Sequence, residues 1–328
     1  MLTKKRTVFC FTSIFVLLVG LMVIACNTGS IKLSPAELFQ GLFIEYNETV
    51  HTVYDLRFPR IFVAMLSGAA LAVSGVLFQA VLKNPLADPS MIGVSSGAGL
   101  TAVIISACFP SAYFMMPICA LVGGLLSFIL VYVLSFKTGK GLSPIRILLV
   151  GIAVRAVFDG IISALDSMGG TTSSATSVVD ANITMKTWSD VKLLSIYVII
   201  GLVLAFGSYY LCNLLALEDR TARSLGINVN HVRIFVSFIA VLLASIATAV
   251  AGVISFVGLI VPHIARLLIG ADHKKLIPFS ALFGALLLLL ADTIGRTICA
   301  PYEISASIVM AVLGGPFFIV LLRTNKKI

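Results

Sequence analysis

The sequence predicts an all-α polytopic membrane protein, a bundle of about ten transmembrane helices, and three observations predict it. Hydrophobic residues make up 59% of the 328 residues and charged residues only 11%, against about 25% charged in soluble domains. The mean hydropathy is +1.09. The apolar residues fall in long unbroken runs, near the roughly 20 residues that a helix needs to cross a bilayer. A β-barrel would instead alternate in segments of about 10 residues. Too little polar surface is available for a soluble enzyme, a disordered chain or a nucleic-acid reader. The six cysteines are scattered without a CxxC pair, so they read as small apolar residues, with neither a disulfide framework nor a metal site.

The elements follow in order from the runs and their borders. Lys4, Lys5 and Arg6 precede a run over 8–25 that is longer than a signal h-region, which predicts an uncleaved first span. Ser34-Pro35-Ala36-Glu37 carries a capping residue, a proline for the first turn and an acidic third position, the signature of a short helix start. Span 2 covers 61–82 and ends at Asn84-Pro85-Leu86-Ala87-Asp88-Pro89, where two prolines forbid continuation. Spans 3, 4 and 5 cover 91–108, 114–136 and 145–165, with Pro110 and the polar turn at 137–141 between them. A Gly/Ser/Thr-rich stretch at 169–177 leads through Trp188 to span 6 at 193–214. After a charged loop come spans 7 (234–251), 8 (254–269), 9 (276–293) and 10 (306–322). Gly252, Gly258 and Pro262 interrupt the seventh to ninth spans, where a half-helix is an alternative to clean spans.

Charge sets the orientation. With the N-terminus inside, the inner segments hold Lys4, Lys5, Arg6, Lys83, Lys137, Lys140, Arg146, Arg220, Arg223, Arg233, Lys274, Lys275, Arg323, Lys326 and Lys327. The outer ones hold only Lys32, Arg57, Arg60, Lys186, Lys192 and Arg296. Lys and Arg collect on the cytoplasmic side, so an even number of spans with both termini cytoplasmic is expected. That bias also accounts for the net charge of +9 without an anionic partner. Residues 1–328 read as one transmembrane domain, with 217–233 as its longest charged cytoplasmic loop.

The chemistry is sparse. There is no GxxxxGK[ST] phosphate loop, no HExxH pair and no GxSxG elbow, so no enzymatic activity is expected. Any uphill work then draws on an ion gradient or on a partner that hydrolyses nucleotide. Charges within spans are costly and stand as functional candidates. Arg155 and Asp159 lie one turn apart near the middle of span 5, which suits either a structural ion pair facing the bundle interior or a pathway arginine that meets an anionic cargo. Asp292 and Arg296 repeat that spacing at the outer end of span 9, and Thr221–Leu225 reads as a short helix ended by Gly226. In the charged loop this helix is either a solvated segment or an element that docks into a groove of a cytoplasmic partner.

Several motifs occur in one order: Leu56-Arg57-Phe58-Pro59-Arg60, Gly68-Ala69-Ala70-Leu71-Ala72-Val73-Ser74-Gly75, Gln79 with Asn84-Pro85-Leu86-Ala87-Asp88-Pro89, and Ile92-Gly93-Val94-Ser95-Ser96-Gly97-Ala98-Gly99. Thr221-Ala222-Arg223-Ser224-Leu225-Gly226, Phe256-Val257-Gly258-Leu259-Ile260-Val261-Pro262-His263, Ala291-Asp292-Thr293-Ile294-Gly295-Arg296 and Leu313-Gly314-Gly315-Pro316 follow. Together they resemble the FecCD family, the permease subunits of bacterial ABC importers for iron-siderophore, haem and vitamin B12. The resemblance implies the type II importer permease fold in the cytoplasmic membrane and a homodimer or paralogous heterodimer with the pathway at its interface. It also implies a cytoplasmic ATP-binding subunit, an external substrate-binding protein and no permanently bound cofactor. By resemblance, Glu218, Arg220, Ala222, Arg223, Leu225 and Gly226 couple to the ATPase. Arg57, Arg60 and Arg296 meet carboxylates of the binding protein, and the inner gate lies near Ser143 and Pro144. The segment Ile183-Thr184-Met185-Lys186-Thr187-Trp188-Ser189-Asp190-Val191 looks more like the haem-uptake members than the siderophore permeases. Haem is therefore the expected cargo, with ferric siderophore or cobalamin as alternatives. Haem carries two propionates, which gives Arg155 an anionic group to meet. An ion-coupled secondary transporter, which would rest on Asp159 and Asp166 as ion sites, is the alternative of another class.

Overall fold

The computed structural model describes residues 4–28, 37, 40–41, 44, 47–109, 111, 115–137, 141–142, 144–168, 183–299 and 302–324. Apart from a two-residue ladder, their regular structure is helical. The elements are α1 (Lys4–Asn27), α2 (Glu48–Leu56), α3 (Phe58–Leu82), α4 (Val94–Cys108), α5 (Met116–Ser135), β1 (Phe136–Lys137) and β2 (Gly141–Leu142). They continue as α6 (Pro144–Met168), α7 (Trp188–Gly207), α8 (Tyr209–Leu215), α9 (Asp219–Ser224), α10 (Val229–Ala251), α11 (Val257–Ile269), α12 (His273–Thr297) and α13 (Ala306–Thr324).

Seven described helical segments are long and apolar enough to cross a membrane, and α4, α11 and α13 are shorter apolar helices. These ten segments fall, in order, on the ten predicted from the apolar runs. Three of the differences in boundary have a direct physical reason. Span 6 divides at Ser208 into α7 and α8. The start of span 3 moves to Val94, because Gly93 takes φ +85° and residues 91–93 form a turn. The interruption near span 8 lies at Gly252–Phe256, with φ +82° and +70° at its ends, while Gly258 and Pro262 sit inside α11. The polar turn at 137–141 is flanked by the antiparallel ladder Phe136↔Leu142 and Lys137↔Gly141. Residues 34–36 of the predicted short helix and the stretch 169–177 lie outside the described residues.

The bundle is built around α3 and α10. In the most apolar windows, 83% of residues are buried in α10 and in the segment containing α3, against 22% in α1 and α6. Small residues allow this packing. A Cβ on Gly75 would lie 2.0 Å from the Gly258 carbonyl oxygen of α11, and one on Gly68 would lie 2.2 Å from that of Gly284 in α12. Helices without a side chain at the crossing approach closely enough to gain dispersion contact where lipid supplies no hydrophobic drive. Polar groups also fasten α3: Ser74 Oγ donates to Ala240 O of α10 at 2.7 Å, and Gln79 Nε2 donates to Gly258 O of α11 at 3.0 Å. Arg266 of α11 closes that network by donating to Gln79 Oε1.

Candidate functional site

The described charges gather at the two ends of the bundle. At one end, α3 finishes at Lys83, whose backbone turns left-handed (φ +50°). This sends the ammonium to Leu217 O and to Asp219 Oδ1 at 2.8 Å. Arg233, in the second turn of α10, reaches the same carboxylate at 3.0 and 3.2 Å. Asp219 opens α9, so one carboxylate ties this short helix to the ends of both central helices. The Lys83 hydrogen bond, helped by Arg233, holds the Asp219 carboxyl below the usual carboxylate range. Ala222 anchors α9 from beneath at 1% exposure, and Gly226 ends the segment at φ +79°. Glu218, Arg220, Arg223, Leu225 and Gly226 are exposed, Leu225 to 59%. Two cations therefore project from a six-residue helix that is itself firmly held, and a leucine projects from its C-cap. Nearby, Asn213 Nδ2 donates to Asp272 Oδ1 at 2.9 Å and Asn213 Oδ1 accepts from the His273 amide at 3.0 Å, fixing the start of α12.

The opposite end holds Arg57, Arg60 and Arg296. Arg60 is buried at 6% exposure. Its Nε lies 3.1 Å from both oxygens of Asp292 and its Nη2 2.9 Å from Oδ1, a forked pair; its Nη1 donates to Glu303 Oε2 at 2.8 Å. Arg296 approaches Asp292 at 3.4 Å and donates to Ala25 O. Arg57 donates to Cys26 O at 2.6 Å. Glu303, on the segment before α13, also accepts from Thr184 Oγ1 at 3.0 Å. Burial alone would raise its carboxyl, and the Arg60 hydrogen bond and charge outweigh that and hold it below the usual range. The three arginines predicted at one face thus share one end of the bundle. However, Arg60 and Arg296 are not open rim charges: their first carboxylates come from this chain.

Between the ends, Arg155 and Asp159 pair on α6 at 3.3 Å, with side chains 37% and 48% exposed. The pair is half-exposed rather than buried, with exposed Ile152 one turn before Arg155 on the same face of α6. Pro144 opens α6, and Ser143 lies outside the described residues.

Sequence reasoning singled out the α9 segment and the arginines but missed Lys83, Asp219 and Arg233 as a clasp, and Glu303 as a partner. Arg60 and Asp292 are 232 positions apart. Their only joint signal was that the charge argument puts Arg60 and Arg296, the latter one helical turn beyond Asp292, at the same end.

The comparisons with known proteins agree with this layout. Residues 16–324 match the FecCD transport family. The chain is 39% identical over 327 residues to a protein of Staphylococcus aureus (strain bovine RF122 / ET3-1) named as the heme-iron transport system permease IsdF, covering 100% of this chain and 99% of the relative. The strain Newman protein of that name shows the same identity and coverage. A solved structure described as an inward-facing conformation of a metal-chelate type ABC transporter superposes with a TM-score of 0.81 at 28% identity, covering 96% of this chain and 99% of that one. With the sequence motifs, the helical layout and a full-length relative in agreement, this multi-pass membrane protein belongs to the FecCD transport family.

Proposed function

We propose that this chain is the permease subunit of an ABC importer that moves haem across the cytoplasmic membrane, driven by ATP hydrolysed on a separate cytoplasmic subunit. The observation that carries the reading is α9: an exposed Arg220–Arg223–Leu225 surface whose foundation is wired through Asp219 to α3 and α10. A short helix presented this way suits docking into a partner's groove, and its fixings carry a push from that partner to the two most buried helices. The end with α9 also carries Lys4, Lys5, Arg6, Lys83, Lys274, Lys275 and Arg323, so it faces the cytoplasm by the positive-inside rule. Both termini then lie inside and ten segments cross. The chain works as one domain whose 217–233 segment is the coupling loop, and catalysis belongs to the partner.

Two further parts of the reading rest on exposed charge. An ion pair half open on the side of a spanning helix is costly against lipid. The Arg155 face of α6 is therefore covered by a second permease subunit, a second copy of this chain or a paralogue, and lines the pathway between them. There Arg155 meets a propionate of haem. At the outer end, Arg57, Arg60 and Arg296 receive carboxylates of the substrate-binding protein, where charge pairs steer docking and fix register.

Haem as cargo is supported by the 39% identity to the haem-iron permease named above. A strain lacking this gene, tested under iron limitation with labelled haem, ferric siderophores and cobalamin, decides the cargo. The expected result is loss of haem uptake alone, restored by the gene. Loss of siderophore uptake alone would keep the importer and overturn the haem assignment.

A further inference from the structure

The outer cluster contains two carboxylates with different standing. Asp292 is 2% exposed on its side chain, belongs to α12, and grips Arg60 through the Nε–Nη2 fork. It is the fixed counter-ion. Glu303 is 40% exposed, lies outside any helix, and takes only the remaining Nη1 edge. The backbone beside it is pinned, since the Ile304 amide donates to Gly295 O at 2.9 Å, so the side chain can leave without moving the chain. Thr184 Oγ1 holds the same Oε2 atom from the other side. Three arginines stand with these two acids, so the cluster has one positive charge in excess while Glu303 is in place, and two once it swings out.

We propose that Glu303 is an internal placeholder: it occupies the Nη1 edge of Arg60 until a carboxylate of the external binding protein displaces it. This rests on the docking reading above and adds its regulation. Guanidinium groups favour such exchange, because one planar face can hold the fixed fork while the other edge changes partner. In the undocked permease the Nη1 edge is satisfied and a buried unpaired charge is avoided. In the docked state the incoming acid replaces Glu303, and the competition keeps the complex from becoming too tight to release. Glu303 and Thr184 thus set the off-rate more than the encounter rate.

The test uses the assembled permease–ATPase complex in lipid nanodiscs and the purified binding protein of the same transport system. Glu303→Gln should tighten binding about tenfold, the order that one charge-assisted hydrogen bond supports, mainly by slower dissociation. Thr184→Ala, which keeps every charge, should tighten it by a smaller factor. Asp55→Asn removes an acid that is paired with His51 rather than with Arg60, and should leave affinity unchanged. Equal tightening by Glu303→Gln and Asp55→Asn would overturn the proposal in favour of a general field effect. No tightening by Glu303→Gln, while Arg57→Ala weakens binding, would overturn the placeholder and leave the docking reading standing. Wild-type affinity for Arg57→Ala and for Arg60→Lys would remove the docking reading itself.

Discussion

Single residues in this chain are decided by how much room and how much charge each position tolerates. Gly75 and Gly20 make the contrast. A Cβ on Gly75 would sit 2.0 Å from a backbone oxygen of α11, and one on Gly20 would meet nothing within 4 Å. Gly75→Ala is expected to separate α3 from α11 and abolish stable expression, while Gly20→Ala leaves the melting temperature of the purified protein unchanged. Asp292→Asn leaves the buried Arg60 with a neutral partner at its fork. Breaking a buried pair from one side costs about 3–5 kcal/mol, which thermal unfolding in detergent would register as a loss of stability. Arg155→Ala, on the exposed side of α6, should leave stability intact and slow haem uptake several-fold, an order one lost ionic hydrogen bond supports. Full-rate transport by a well-folded Arg155→Ala protein would remove Arg155 from the pathway.

Among the elements, α9 shows what pattern reading can and cannot reach. The short helix and its Gly226 stop were legible, because Thr221-Ala222-Arg223-Ser224-Leu225 is helical in composition and a left-handed glycine ends it. Its fixing was not, because Lys83 joins it from 136 positions away at the end of α3, and Arg233, 14 positions on, read only as a loop-border charge. The same limit applies at the other end, where the spacing of Asp292 and Arg296 was visible and the stronger Arg60–Asp292 fork was not. The break between α10 and α11 opens at Gly252, one of the three residues the sequence points to, whereas Gly258 and Pro262 sit inside α11. Phe256 takes the left-handed turn that a glycine usually supplies, and its ring fills the space beside Gly314. The clasp also has a pH signature. Asp219 has a lowered pKa in the folded protein, so its contribution is fully present above the ordinary carboxylate value of about 4 and fades only as pH falls through the lowered value. ATP-driven transport should therefore show no loss between pH 7.5 and 5 that traces to this clasp. A transport decline in that window that disappears in Asp219→Asn would contradict the assignment.

The whole molecule is a buried pair of helices, α3 and α10, with charge clusters at both ends and a half-exposed ion pair on one flank. Composition and apolar runs were enough for the class and the order of segments, since bilayer thickness acts on the sequence directly. They could not show which flank the proposed second subunit would cover, because a lipid-facing and a subunit-facing helix are equally apolar. A cysteine at Ile152 on the exposed side of α6 should cross-link two permease subunits in membranes, whereas one at Phe15 on the exposed side of α1 should not. In the proposed mechanism α9 passes the ATPase subunit's motion to α3 and α10 through Asp219. The most direct measurement is the number of ATP molecules hydrolysed per haem moved in proteoliposomes, for the wild-type complex and for Asp219→Ala. The variant should still assemble and hydrolyse ATP, while haem transport per ATP falls at least about tenfold, the order expected when a charge-assisted clasp is lost. An unchanged ratio in the variant would contradict it.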